Sequence, residues 1–459
     1  MNRGRKLGDV KRMSVNGGSE AQEDTTFSCL AQFNGPETAL DIDPGAENIC
    51  TNFANTEIYR QLRPLLVCMR LFGLFFRRTI DTKGRPYMES VVMYCFIVNF
   101  LNVLNVIRSF TVYSSSDEFD SVMVQKLLFT IWSSECAFKG LLMMWNCYKQ
   151  DGFPKFFLEW DAVCGNVKLS KVCMFMMKKY IFLSFIFIGV NSIVFTLTLI
   201  YVPMLETIYL EVVWKNALEF KNNLHFKMIL TFLAVLNSSS SMFPMSLFVV
   251  LSFAIGRRLK KYTDELVLAM SFEGFTEKLE DFRIRHQNLC KIVHILDSIF
   301  APMLAAVYIA NIPMFCLVLY TMVTTLDLHL SILLINLFWL SFILLQMTIV
   351  SITAAWVNVQ AHSPLEHIYT IRFSGSSNDT QLQMFMFLNR LTGTQVGLSA
   401  MKLFVVDKPT ILTIAGMMIT YFVLLIQFKM PVDTNCACHV NGTIVMDNST
   451  LLISQMSNT

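Results

Sequence analysis

Long apolar runs restrict this chain to one class of fold. A helix crossing a bilayer core needs about 20 predominantly apolar residues, and its backbone polar groups must be satisfied within the segment. Seven stretches meet that requirement: about Met88–Tyr113, Val122–Cys147, Tyr180–Val202, Met228–Ile255, Ile295–Met322, Leu328–Val357 and Thr410–Phe428. Charged residues make up 15% of the 459 positions, against about 25% in soluble domains. The expected fold is an all-α membrane protein with seven transmembrane helices. Lys126, Glu135 and Lys139 interrupt the second stretch and make it the weakest. Leu65–Phe76 is too short to span, is cut by Arg70 and ends at Arg77 and Arg78. It reads as an interfacial or packed helix ahead of the first span.

Loop charges set the orientation, because Lys and Arg near span ends favour the cytoplasmic side. Arg77, Arg78, Lys83 and Arg85 precede span one, and Lys149, Lys155, Lys168, Lys171, Lys178 and Lys179 follow span two. Arg257, Arg258, Lys260, Lys261, Lys278, Arg283, Arg285 and Lys291 follow span four. The alternate loops differ: Ser114–Asp120 carries three acids and no base, and Thr324–Asp327 one acid and no base. The loop after span three is mixed. The expectation is a cytoplasmic N-terminus and an extracellular C-terminus. The tail beyond Lys429 agrees, since it lacks Lys and Arg and holds two glycosylation acceptors, Asn441-Gly-Thr443 and Asn448-Ser-Thr450.

Residues 1–56 are polar, start with a basic cluster, lack the apolar region of a signal peptide and read as a disordered cytoplasmic arm. Residues 57–430 form the helical domain, and 431–459 an outer tail in which Cys436 and Cys438 are open to oxidation. The apolar positions Leu279, Phe282, His286, Leu289, Val293 and Leu296 recur with 3-4-3-4-3 spacing. That is an a/d seam on a helix continuing into span five, for packing within the chain or between subunits. A second inner helix carries Leu382, Met386, Leu388 and Leu391, with Asp379 or Asn378 as its cap. The cytoplasmic helical parts thus cover about 257–294 and 358–408. A short irregular link, Gly397–Asp407, leads into the last span.

Catalytic signatures are missing: no phosphate-cradling glycine loop, no His-Glu-x-x-His and no Gly-x-Ser-x-Gly. His362 and His367 read as structural histidines. Cys436-Ala-Cys438-His439 is too small a donor set for a metal. No enzyme activity, cofactor, metal or nucleic-acid partner is expected.

In the last span, Thr420-Tyr421, five apolar residues and then Gln427-Phe428 resemble the C-terminal signature of insect gustatory receptors, within the gustatory and odorant receptor superfamily. Leu289-Cys290 at the approach to span five is also similar to the family. The 31 residues beyond Phe428 depart from it, because chains of this family usually end soon after the motif. The resemblance implies a plasma-membrane ligand-gated cation channel, a homo- or hetero-tetramer with related subunits. The last helices, about 409–428, would line a central pore, and the cytoplasmic helices would form a shared anchor. Leu424, Gln427 and Phe428 fall at i, i+3 and i+4 on one helical face. Four copies of Leu424 or Phe428 would make a hydrophobic gate, and four Gln427 amides would offer oxygens to a cation without strong selectivity. Thr420 and Tyr421 are expected to pack on neighbouring helices, and Gly416 to permit close helix approach.

The resemblance also places a small-molecule pocket in the outer half of each subunit, between spans two and six. Polar or aromatic side chains at that depth are Trp132, Glu135, Thr198, Tyr201, Asn237, Tyr308, Asn311, Trp339 and Gln346. Polar groups within a bilayer turn toward the bundle interior, so each is either a ligand contact or glue between helices. Glu135 and Lys139 stand at i, i+4 in the favourable order and are expected to pair. Trp356 reads as an interfacial anchor. A G-protein-coupled receptor, with its N-terminus outside, and a secondary transporter, with internal repeats, are the competing classes. The loop charges and the terminal motif oppose the first, and the lack of visible repeats opposes the second.

Overall fold

The computed structural model describes residues 53–429 except 78, 81–85, 88–89, 114–120, 166, 202–223, 273, 325–329 and 372–376. The expected N-terminal arm up to residue 52 and the outer tail, with Asn441, Asn448, Cys436 and Cys438, lie outside the described residues. Eleven α-helices are described: α1 Glu57–Leu71, α2 Ser90–Phe110, α3 Ser121–Tyr148, α4 Phe153–Cys164, α5 Lys171–Tyr201 and α6 Leu224–Met270, then α7 Phe275–Thr324, α8 Leu330–His362, α9 Pro364–Ile368, α10 Asn378–Gly393 and α11 Lys408–Lys429. Two short antiparallel pairs complete them, β1 Thr79–Ile80 with β2 Pro86–Tyr87, and β3 Ser399–Ala400 with β4 Phe404–Val405. Among the described residues, α2, α3, α5, α6, α7 and α8 are long and apolar enough to cross a membrane, and α11 is a shorter apolar helix. The chain is therefore an all-α membrane protein.

Length explains the part of the bundle beyond the membrane layer. At 1.5 Å per residue, α6 and α7, with 47 and 50 residues, reach about 70 and 75 Å, twice the thickness of a bilayer core. Their excess carries the predicted seam. Leu279, Phe282, His286, Leu289, Val293 and Leu296 are all buried, and they pack within the same chain. The Tyr262 hydroxyl on α6 donates to Phe282 O at 2.9 Å. His286 Nε2 donates to Ala361 O at 3.0 Å, and its ring lies 5.4 Å from that of Phe387 on α10. His362 Nδ1 donates to Leu391 O at 3.0 Å while its Nε2 accepts from Val396 N at 3.2 Å, so both ring nitrogens hold the fold together.

Several sequence expectations need correction. The arm does not extend to residue 56: Phe53–Asn55 forms a 3-10 turn, and the buried Phe53 ring stacks on Phe157 at 5.9 Å. The cap of α10 is Ser377, whose hydroxyl accepts from Thr380 N, rather than Asn378 or Asp379. Trp356, read as an interfacial anchor, packs against α6. Its ring lies against Gly256, where no Cβ fits, and stacks on Phe253 at 5.2 Å. The segment ahead of span one is a packed helix, α1, with Leu62, Leu65, Leu66 and Met69 buried.

The loop after span two holds a helix that charge alone concealed. In α4, Phe153, Phe156, Phe157 and Trp160 recur at i, i+3, i+4 and i+7 and are fully buried. They join Tyr59 and Phe75 to Phe300 of α7 through edge-to-face contacts of 5.6–6.2 Å. Within the membrane layer, α6 is held by hydroxyl and amide pairs. Asn102 Nδ2 donates to Ser240 Oγ at 3.0 Å, and Asn191 Nδ2 to Ser238 Oγ at 2.7 Å. The Ser184 and Ser246 hydroxyls meet at 2.9 Å. Such bonds between helices replace the hydrophobic driving force that lipid removes.

Candidate functional site

Two places carry the side chains that the sequence singles out. The first lies between α3 and α8. Trp132 and Trp339 meet edge to face with ring centres 5.3 Å apart. One turn further along α3, Glu135 Oε1 accepts from Gln346 Nε2 of α8 at 3.2 Å and pairs with Lys139 Nζ at 2.6 Å. The Glu135 and Lys139 side chains are 1% and 0% exposed. An isolated charge at this depth is costly, so each carries its counter-charge with it. Pairing uses only part of the capacity present. Trp132 Nε1, Ser133 Oγ, Glu135 Oε2 and Gln346 Oε1 are buried without a hydrogen-bond partner. The result is an aromatic platform over a polar cluster, with donors and acceptors still free.

The other candidates divide. The Tyr308 hydroxyl bonds Ser351 Oγ at 2.9 Å, joining α7 to α8, and its ring lies 5.9 Å from Phe404. Asn311 donates to Val307 O of its own helix at 2.8 Å and leaves its carbonyl oxygen unpaired. Asn237 is buried on α6, its Oδ1 likewise unpaired. No described hydrogen bond joins Asn237, Tyr308 or Asn311 to the Trp132–Gln346 cluster. The side chains of Thr198 and Tyr201, at the end of α5, lie outside the described ones.

The second place is α11 and its approach. Ser399 ties the approach to α7: Asp297 Oδ1 accepts from Ser399 N at 2.6 Å, and its two oxygens accept from the Ser399 hydroxyl at 2.9 and 3.0 Å. Met401 N donates to Ala301 O at 3.0 Å. Met401 and Lys402 turn the hairpin with φ of 47° and 61°, a left-handed conformation that disfavours residues with a Cβ. Asp407 then opens α11, accepting from Thr410 N at 2.9 Å and from its hydroxyl at 2.6 Å. Those bonds, the hydroxyl's first, hold the Asp407 carboxyl below its ordinary pKa. The hairpin and its link to Asp297 were missed by sequence reasoning. Their partners are about a hundred residues apart, and no local pattern announces them.

Only one stripe of α11 is covered. Ile414 and Met418, at i and i+4, are buried, and Cys316 of α7 lies 3.9 Å from Met418 O. Leu412 is 77% exposed and Ile419 63%, and Leu424 and Gln427 are also exposed. Within this one chain, the Thr420 hydroxyl donates to Gly416 O of its own helix at 3.0 Å, and Tyr421 is half exposed. Within the chain, nothing lies within 4 Å of a Cβ placed on Gly416. The Phe428 side chain lies outside the described ones.

A family model described as 7tm Chemosensory receptor matches residues 62–431, well over half of the chain. No curated protein sequence matches closely enough to carry an argument. Among solved structures, the chain is similar to the insect olfactory receptor OR5 from Machilis hrabei. The complex with eugenol gives a TM-score of 0.63 at 15% identity, and the structure without it 0.63 at 14%. Each likeness covers 82% of this chain and 100% of the other.

Proposed function

This chain belongs to the 7tm chemosensory receptor family, and from that premise we propose that it is a gustatory-type receptor, a non-selective cation channel of the plasma membrane opened by a small molecule. Four subunits, identical or related, surround a pore lined by α11, with the N-terminus inside the cell and the tail outside. The observation that carries this reading is the open face of α11. The helix rests on α7 and α8, with Ile414 and Met418 buried, and turns an apolar surface, with Gln427 near its end, away from its own bundle. Copies of that face around an axis bring Leu424 and Phe428 together as a constriction that closes by dewetting. The Gln427 amides at the same level offer cations uncharged oxygens. The motif Thr420-Tyr421 to Gln427-Phe428 favours the gustatory type.

The ligand site is the cluster between α3 and α8. Trp132 and Trp339 supply an apolar platform, and Trp132 Nε1 and Glu135 Oε2 supply an unpaired donor and acceptor. That combination suits a small molecule with an apolar body and at least one hydroxyl or amine.

The test begins with sidedness. A tag at the N-terminus should be stained only after cells are permeabilised, and a glycosidase should shift the band unless Asn441→Gln and Asn448→Gln are present. In whole-cell recordings, Leu424→Ala should raise the basal cation current several-fold, and Gln427→Lys should lower it. A tag stained on intact cells would overturn the channel reading in favour of a G-protein-coupled receptor.

A further inference from the structure

On the face that carries the basic loops, a cavity of about 520 Å³ lies between α7, α10 and the turn joining α3 to α4. One wall is a polar stripe on α7: Gln287, Lys291, His294 and Ser298, spaced 4-3-4 along one helical face. Lys149 and Asp151 face it from the turn, Lys155 from the start of α4, and Arg390 from α10. Two of the cations are already paired, Lys155 with Asp151 at 3.1 Å and Lys291 with Glu159 at 2.8 Å. Lys149 and Arg390 have no ion-pair partner among the described residues, so four cations meet two carboxylates around one hollow. Like charges are not gathered around an open cavity for stability. They repel, and an anion bound between them lowers that cost. The depth is informative too. Ile295, where the apolar run of α7 begins, also lines the cavity. The hollow therefore straddles the border between the apolar layer and water.

We propose that this cavity binds a multiply phosphorylated anion, of the kind carried by the inositol headgroup of a membrane lipid or by a free inositol phosphate. Basic pockets between helices on the cytoplasmic side suit such headgroups. Lys149 and Arg390 contact the phosphates directly. Lys155 and Lys291 exchange part of their carboxylate pairing for them. The proposal goes beyond the channel reading and requires no channel activity.

The experiment uses the purified full-length chain in detergent and a fluorescent dioctanoyl phosphatidylinositol bisphosphate, read by anisotropy. Saturable binding is expected. Lys149→Gln, Lys291→Gln and Arg390→Gln together should weaken it tenfold or more. Arg257→Gln with Lys260→Gln, basic positions on α6 that do not line the cavity, should change it less than threefold. Should the triple variant not elute as the parent does, Lys149→Glu alone, an exposed position outside the helices, should still weaken binding several-fold. Competition by inositol trisphosphate as strong as that by unlabelled lipid supports the soluble source, and competition by the lipid alone supports the membrane source. An absence of saturable binding, or equal weakening by the α6 variant, would overturn the proposal.

Discussion

Replacing Lys139 with Met leaves the Glu135 carboxylate without its cation, at a position where neither side chain reaches solvent. The only other described partner of Glu135 is the Gln346 amide, at 3.2 Å, and one neutral donor cannot offset a full charge in a low-dielectric interior. Breaking a buried pair by removing one partner costs about 3–5 kcal/mol, whereas replacing both partners is often neutral. In a large domain, 1 kcal/mol moves the unfolding midpoint by about 2 °C. Lys139→Met, and Glu135→Gln alone, should therefore each lower the apparent midpoint by about 6–10 °C. The double variant Glu135→Gln/Lys139→Met keeps an amide oxygen for Gln346 and removes both charges, so it should recover to within about 3 °C of the parent. The assay is tryptophan fluorescence of the purified chain in detergent at one fixed scan rate, since unfolding of such a protein is irreversible. Single variants that shift by less than about 2 °C, or a double variant that loses as much as the two singles added, would refute the argument that the charges sustain each other.

Three further outcomes follow from the same geometry. Ser399→Ala removes the hydroxyl bonds to Asp297 and leaves the backbone bond, so it should cost about 1–3 kcal/mol; Asp297→Ala, which removes all of them, should cost more, both read as unfolding midpoints. Gly256→Ala drives a methyl into the Trp356 ring and should cost about 1–3 kcal/mol or more by overpacking, and Trp356→Leu should restore part of the loss in the double variant. His286, on the extension of α7 before its apolar run, has its pKa lowered by burial to about 4. The folded state thus favours the neutral imidazole. The contribution is complete above the unfolded value near 6.5 and is lost as pH falls from there to about 4. The midpoint should drop across that window, and His286→Phe should flatten the drop.

The spans, the seam on α7 and the Glu135–Lys139 pair were legible in the sequence because each is a local pattern: hydropathy over a window, a 3-4 repeat, an i, i+4 spacing. Helix α4 was equally legible. Phe153, Phe156, Phe157 and Trp160 follow the helical period, but attention to the lysines around them hid it. The contacts that assemble the site are of another kind. Trp132 meets Trp339, Glu135 meets Gln346, and Asp297 meets Ser399, each across one to two hundred positions. No periodicity encodes which polar side chain in one span faces which in another. Tyr421 was read as a packing residue because a hydroxyl in lipid needs a partner, and Gly416 because it permits close helix approach. A single chain gives them nothing to pack on.

On the channel reading proposed above, the hairpin ahead of α11 would act as a fulcrum. It is bolted to α7 by Asp297 and Ala301, and Asp407 fixes the first turn, so the N-terminal end of the helix has little freedom. Among the described residues, the C-terminal end has no comparable fastening. Leu424 and Phe428 lie 16 and 20 residues beyond Lys408, a lever arm of about 24–30 Å. A tilt of about 5° at the hairpin would sweep those tips sideways by about 2–3 Å, comparable to the diameter of a water molecule. A displacement of α7 too small to disturb its own packing would then be amplified, along that one helix, into a change of bore.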